Sequence, residues 1–122
     1  MQLSIIIPYY NAKETTDAIL DILDPQMPPE DVEVIIIDDG SREKYKTSYK
    51  WAKVYYQRNG GSGMARNAGM NKAKGDYIAF IDADDMVPDY YISKIMEKIK
   101  IGFDICDMSW KTAEGHYPYM DF

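Results

Sequence analysis

The sequence predicts an α/β fold built on a mostly parallel sheet flanked by helices. Three observations carry this. Residues 3–7, 32–37 and 77–81 are short, nearly continuous apolar runs, the pattern of strands buried on both faces. Segments with apolar residues at helical spacing lie between them. Each strand-like run then leads into a polar cluster, and open sheets of this kind bind ligands beyond the carboxyl ends of their strands.

The elements follow in order. Residues 3–7 form a first strand, stopped by Pro8. Asn11 and Glu14 have the spacing of a capping box and open a helix. Ala18, Ile19, Ile22 and Leu23 line one face of it until Asp24-Pro25 ends the pattern. Residues 26–31 are a Pro-rich loop, and residues 32–37 a second strand closed by Asp38-Asp39-Gly40-Ser41. Residues 42–53 read as a short polar helix carrying Tyr45, Tyr49 and Trp51. A third strand, residues 54–57, runs into Asn59-Gly60-Gly61-Ser62-Gly63. Residues 64–74 read as a helix whose Ala65, Ala68 and Ala73 permit close packing on a sheet, with Gly75 ending it. Residues 77–81 form the fourth strand and deliver Asp82. Pro88 suits the first turn of another helix, in which Ile92, Ile95, Met96 and Ile99 recur and Gly102 sits past the end. Residues 104–108 are a candidate fifth strand, and no clear element follows Ser109. Parallel neighbours imply right-handed crossovers.

The 122 residues suffice for a single domain with its own core. A net charge of -6 argues against nucleic acid, whose phosphates are bound by surplus Lys and Arg. A phosphate-bearing substrate would need a metal or a local Arg to be accepted by so acidic a chain. Cys106 is the sole cysteine, so no internal disulfide forms, and it reads as a buried structural thiol. The N-terminus lacks the basic region of a signal peptide, and no apolar run approaches the ~20 residues of a membrane helix. A cytoplasmic setting is expected, with a peripheral place at a membrane also compatible. A sheet left with an open edge or apolar face would be hidden by homo-oligomer formation.

The chemistry concentrates in residues 78–85, where an apolar strand ends in Asp82, Asp84 and Asp85. Buried carboxylates are costly without compensation. Carboxylates at a strand end suit a hard divalent cation, Mn²⁺ or Mg²⁺, that also holds substrate phosphates. The competing reading is that they cap the following helix. Asp39 sits at the end of the second strand, placed to accept from a nucleobase or ribose; one of Asp38 and Asp39 would cap while the other reads a ligand. Tyr9 and Tyr10 follow the first strand, and either ring offers a flat surface for a base or packs under the loop. The run 60–63 would present backbone N–H groups to phosphate, or serve as a plain connector. Arg66, one turn into the next helix, would bring a permanent charge to the site or form a surface salt bridge. Lys72 and Lys74 read as ordinary helix C-terminal charges, and His116 as a solvated residue.

Together these residues resemble the family 2 glycosyltransferases, which have the Rossmann-like GT-A fold. The matching stretches are Ser4-Ile-Ile-Ile-Pro-Tyr-Tyr-Asn11, Val34-Ile-Ile-Ile-Asp-Asp-Gly-Ser41, Gly61-Ser-Gly-Met-Ala-Arg-Asn-Ala-Gly69 and Gly75-Asp-Tyr-Ile-Ala-Phe-Ile-Asp-Ala-Asp-Asp85, in the family's order and spacing. The resemblance implies a nucleotide-sugar donor, commonly UDP-linked. Pro8 and Tyr10 would flank the base, Asp39 would hydrogen-bond it, and Arg66 would contact the nucleotide. Asp82 would lie near ribose and metal, and Asp84, in the Asp-x-Asp motif, would be the direct metal ligand. It further implies an inverting displacement by an acceptor hydroxyl, which needs a general base. The family's catalytic domain ordinarily continues for roughly another hundred residues, as in domains of ~200–250 residues. Residues 1–122 thus resemble its nucleotide-sugar-binding part in truncated form. Asp104, Asp107, Glu114 and Asp121 fall in no recognisable base motif. The missing half keeps a binding module without turnover as the alternative. Residues 80–87 also loosely resemble the Asp-x-Asp segment of haloacid-dehalogenase-type phosphatases, but that segment normally follows a first strand, not a fourth.

Overall fold

A computed structural model describes residues 1–27 and 30–102. Its four strands, β1 (Leu3–Tyr9), β2 (Val32–Asp39), β3 (Ala52–Gln57) and β4 (Tyr77–Phe80), form one parallel sheet in the order β3-β2-β1-β4. The helices are α1 (Lys13–Leu23), α2 (Ser62–Lys72) and α3 (Tyr91–Ile101), with a 3₁₀ turn at Asp24–Gln26. Every residue of the two central strands is buried, as their continuous apolar runs require, whereas β3 and β4 are half-exposed edges.

Side chains alternate across the sheet. Leu3, Ile5, Ile7 and Tyr9, with Val32, Val34 and Ile36, pack on α1 and α3 through Ile19, Leu20, Leu23, Ile92 and Ile95. Ile35 and Ile37 face the opposite layer and pack on Ala65 and Ala68 of α2. Ile6 meets the same helix at Gly69, where a Cβ would collide with its side chain. The alanine-lined face of α2 therefore does what its small residues suggest: it brings the helix backbone onto the sheet.

Several local expectations give way to tertiary contacts. The buried face of α1 is Thr16, Ile19, Leu20 and Leu23, with Ala18 turned outward. No capping box forms, since the N-cap is Ala12 without a side-chain bond. Asn11 instead takes a positive φ of 46° and bridges two loops, its amide donating to Ser41 Oγ (2.9 Å) and its Oδ1 accepting from the Arg42 amide (2.9 Å). Pro8 does not stop β1, which continues to Tyr9. The Ile6 carbonyl accepts from Ile81 on the β4 side, so the position two residues on, where Pro8 lacks an N–H, faces past the end of β4. Residues 42–51 hold no helix. The backbone of Tyr45 is committed elsewhere: its N–H donates to Asp38 Oδ2 (2.8 Å) and its carbonyl accepts from the Tyr56 hydroxyl (2.6 Å). This segment runs along α1 through three polar aromatic contacts, Tyr45 to Asp17 (2.6 Å), Tyr49 to Asp21 (2.6 Å) and Trp51 to Asp24 (2.9 Å). Gly75 does not cap α2, which ends at Lys72. It is glycine because a Cβ would stand 2.6 Å from the Ser4 amide nitrogen of β1. Pro88 precedes α3 by a turn, its carbonyl accepting from Tyr91, while Gly102 ends that helix at φ 89° as its position suggests. The proposed fifth strand, Cys106 and His116 lie outside the described residues.

A buried polar knot joins the amino ends of the strands. The Ser4 hydroxyl donates to Glu33 Oε2 (2.6 Å) and accepts from the Gly75 amide (2.9 Å), while Glu33 also accepts from the Lys74 amide (2.7 Å). Burial alone would raise the Glu33 carboxyl. The Ser4 and Lys74 hydrogen bonds, helped by the Lys53 charge, hold it below the usual carboxylate range. Its stabilising contribution is therefore complete above the unfolded-state value of about 4.3 and is lost as pH falls through the lower folded value. Urea denaturation across pH 7 to 3 is expected to show that acid-side loss in the wild type and less of it in Glu33→Gln. Equal pH slopes for the two proteins would contradict the assignment.

Candidate functional site

Parallel strands send all their carboxyl ends to one rim, and the polar clusters meet there through hydrogen bonds. The two acidic residues that end β2 divide by sheet face. Asp38 points to the α1 side and organises the following turn, accepting from the Ser41 (3.0 Å) and Tyr45 (2.8 Å) amides. Asp39 points to the α2 side. Its Oδ1 accepts from Gln57 Nε2 (2.8 Å) and the Gly60 amide (2.8 Å), and its Oδ2 from the Gly61 amide (2.9 Å) and, more weakly, Asn59 Nδ2 (3.3 Å). A carboxylate offers about four lone-pair positions, so this one is saturated by the protein. It fastens the glycine-rich loop before α2 to the end of β2. Gly40 permits the approach, because at φ 74° a Cβ would lie 2.6 Å from the Asn59 nitrogen.

The same alternation separates the tyrosines. Tyr9 is buried, its ring 4.5 Å from that of Tyr45 on the α1 side. Tyr10, just past the strand, is 53% exposed at the rim, and Pro8 is buried in β1. Arg66 reaches from α2 to the end of β4, where its Nη2 lies 3.0 Å from Asp82 Oδ1 and its guanidinium 5.9 Å from the Phe80 ring. The surface salt bridge thus exists, and it links the helix after the glycine-rich loop to the Asp-x-Asp segment. Both partners remain substantially exposed, so the pair contributes about 0–1 kcal/mol to stability. Thr16 of α1 approaches the Ala83 carbonyl (3.4 Å) from the other side.

Asp82 and Asp84 are exposed, Ala83 is buried between them, and Asp85 is half-buried. Burial, followed by the negative charges of Asp82 and Asp84, pushes the Asp85 carboxyl above its ordinary value. Among the described residues no three His, Cys, Asp or Glu side chains converge into a ready-made metal cage. The donor set is nonetheless of the right chemistry for a Mg²⁺-type ion, which is commonly held by one or two carboxylates plus substrate phosphates. Sequence patterning misses Gln57 and Asn59 as partners of Asp39, and Tyr45 as the hub of the β2–β3 loop. It also passes over Glu33, whose signal is a lone charge inside a fully buried run.

A parallel α/β sheet with acidic, glycine-rich and aromatic loops gathered at its carboxyl rim defines the class of open α/β proteins that bind ligands beyond their strand ends. The chain belongs to glycosyl transferase family 2, which it matches over residues 4–119. It is 33% identical over 107 residues to a cholesterol galactosyltransferase of Borreliella burgdorferi, covering 81% of this chain and 29% of that protein. It is 39% identical over 97 residues to a poly(ribitol-phosphate) beta-glucosyltransferase of Bacillus spizizenii, covering 71% and 15%. Among solved structures it resembles S. aureus TarS 1–349 in complex with UDP-GlcNAc, with a TM-score of 0.71 and 28% identity over 83% of this chain and 32% of that one. The sheet is accordingly of the GT-A, Rossmann-like type. The chain spans about a third or less of the length of these relatives. Among the described residues no helix is long and apolar enough to cross a membrane.

Proposed function

We propose that this chain is the donor-binding part of a glycosyltransferase that takes its sugar from a nucleoside diphosphate, with UDP as the nucleotide. The observation that carries the reading is the hydrogen-bonded rim in which the Asp39-anchored glycine loop and the Arg66–Asp82 pair stand at the ends of adjoining elements. The family relation and the UDP-GlcNAc complex of a structural neighbour support the choice of ligand. In this reading Tyr10 and Pro8 flank the base, and Asp39 receives its N–H by releasing one of the two side-chain amides it now holds. Arg66 faces the nucleotide phosphates. Asp84 and Asp82 would hold Mn²⁺ or Mg²⁺, and the ion would offset charge building on the departing diphosphate. The acceptor hydroxyl would attack in line, inverting the sugar carbon, with its proton passing to a carboxylate supplied from outside the described residues.

Calorimetric titration with UDP in the presence and absence of Mn²⁺ tests this. Saturable binding that tightens with Mn²⁺ is expected, and Asp84→Ala should abolish the Mn²⁺-dependent gain while leaving Tm nearly unchanged, because Asp84 is exposed. No UDP binding by the wild type, or an undiminished metal effect in Asp84→Ala, would refute it. A second reading, a nucleotide-sugar-binding module without turnover, would be excluded by sugar release from UDP-linked donors.

A further inference from the structure

The rim has a second side. A half-open cleft of about 750 Å³ lies between the start of α1 and the loop after β2. It is on the α1 face of the sheet, whereas Asp39, Arg66 and Asp82 are joined on the α2 face. None of the residues assigned to the donor lines it. Its floor is aromatic, formed by Tyr9 and Tyr45 with their rings tilted by 37°. Its lining carries Lys13, Arg42, Lys44 and Lys46 with one carboxylate, Glu43, while Asp17 stands beside it, bonded to Lys13 and Tyr45. In a chain of net charge -6, four of the 14 basic residues are gathered at one concavity.

The walls are held in place. Asp38 accepts from the Ser41 and Tyr45 amides at the two ends of the basic loop, Asn11 grips the Arg42 amide, and Tyr45 is fixed by Asp17 and Tyr56. Lys13 is paired with Asp17 (2.6 Å), and Lys44 lies 5.1 Å from the Tyr56 ring centroid. Arg42 and Lys46 make no side-chain ion pair or ring contact among the described residues. Guanidinium and ammonium groups around a concave wall are the chemistry that recognises phosphate oxygens.

We propose that this cleft binds a phosphate-bearing ligand, a phosphodiester or polyphosphate, at a site separate from the nucleotide-sugar donor. The ligand's charge lies between Arg42 and Lys46 on one wall and Lys13 on the other, above the Tyr9–Tyr45 floor. The site does not depend on the donor reading, because it uses none of those residues.

Two-dimensional amide NMR of the chain tests it, with sodium tripolyphosphate as the soluble probe, at 0.15 M salt and without divalent metal. Saturable shifts are expected at the amides of residues 11–14 and 41–46, persisting when UDP is present in excess. The double variant Arg42→Gln/Lys46→Gln should weaken the probe about tenfold with Tm unchanged, since these two side chains are exposed and make no ion pair or ring contact among the described residues. Cosedimentation with phosphatidylglycerol vesicles separates the sources. Vesicle binding lost in the double variant assigns the site to a lipid headgroup, while probe binding without vesicle binding assigns it to a soluble or polymeric phosphate. Shifts confined to residues 60–66 and 82–85, loss of the shifts under UDP, or equal probe affinity in the double variant would overturn the proposal.

Discussion

Asp39→Ala is expected to weaken UDP by on the order of a hundredfold, about 2.7 kcal/mol, and to lower stability by about 2–4 kcal/mol. The two losses have one origin. The carboxylate is 4% exposed and holds the Gly60 and Gly61 amides together with Gln57 and Asn59, so its removal leaves part-buried donors without an acceptor and frees the loop that leads into α2. Each hydrogen bond to a charged acceptor is worth about 1.5–3 kcal/mol, with relaxation and water recovering part of the sum. Asp39→Asn keeps the shape but substitutes a donor for an acceptor, so at least one loop amide loses its partner and an intermediate effect is expected. Urea denaturation gives the stability change, and UDP titration well below each variant's Tm gives the affinity. A Kd for Asp39→Ala within twofold of wild type would separate this residue from the nucleotide altogether.

Tyr45→Ala is expected to remove about 3–5 kcal/mol of stability, the usual cost of deleting a buried aromatic ring. That is a large part of the ~5–15 kcal/mol available to a domain. Tyr45 is 2% exposed and its ring packs tilted against that of Tyr9. Its hydroxyl donates to Asp17, and burial, reinforced by that carboxylate, pushes its pKa far above the ordinary tyrosine value. Tyr45→Phe isolates the hydroxyl and should cost only about 1 kcal/mol, because Asp17 keeps Lys13 and solvent as partners. Thermal and urea unfolding of both variants checks the ranking. Equal losses for Phe and Ala would mean that the Asp17 contact, not the packed ring, holds the β2–β3 loop.

These two residues mark where sequence reading succeeds and where it stops. The strands of the sheet, its parallel character and the strand-end position of each polar cluster follow from runs such as 32–37, whose unbroken apolar character has no stable place except between two layers. The small-residue face of α2 is legible for the same reason. Asp39 stands out as a carboxylate at a strand end. Its four donors do not, because they reach it from the last residue of β3 and the loop after it, 18 to 22 residues away. The segment 42–51 misleads for a related reason. Its aromatic spacing suits a helix, but the amide and carbonyl of Tyr45 are claimed by Asp38 and Tyr56, and no helix can form through a residue so engaged.

The layered α/β architecture, the family and the rim where polar groups collect are legible in the chain, since periodicity and the cost of burying charge act locally along it. Which of Tyr9 and Tyr10, and which of Asp38 and Asp39, belongs to each side of that rim depends on long-range packing. The strand's two-residue period sets adjacent side chains on opposite faces, but what waits on each face, α1 with the basic loop or α2 with the glycine-rich loop, is fixed by packing.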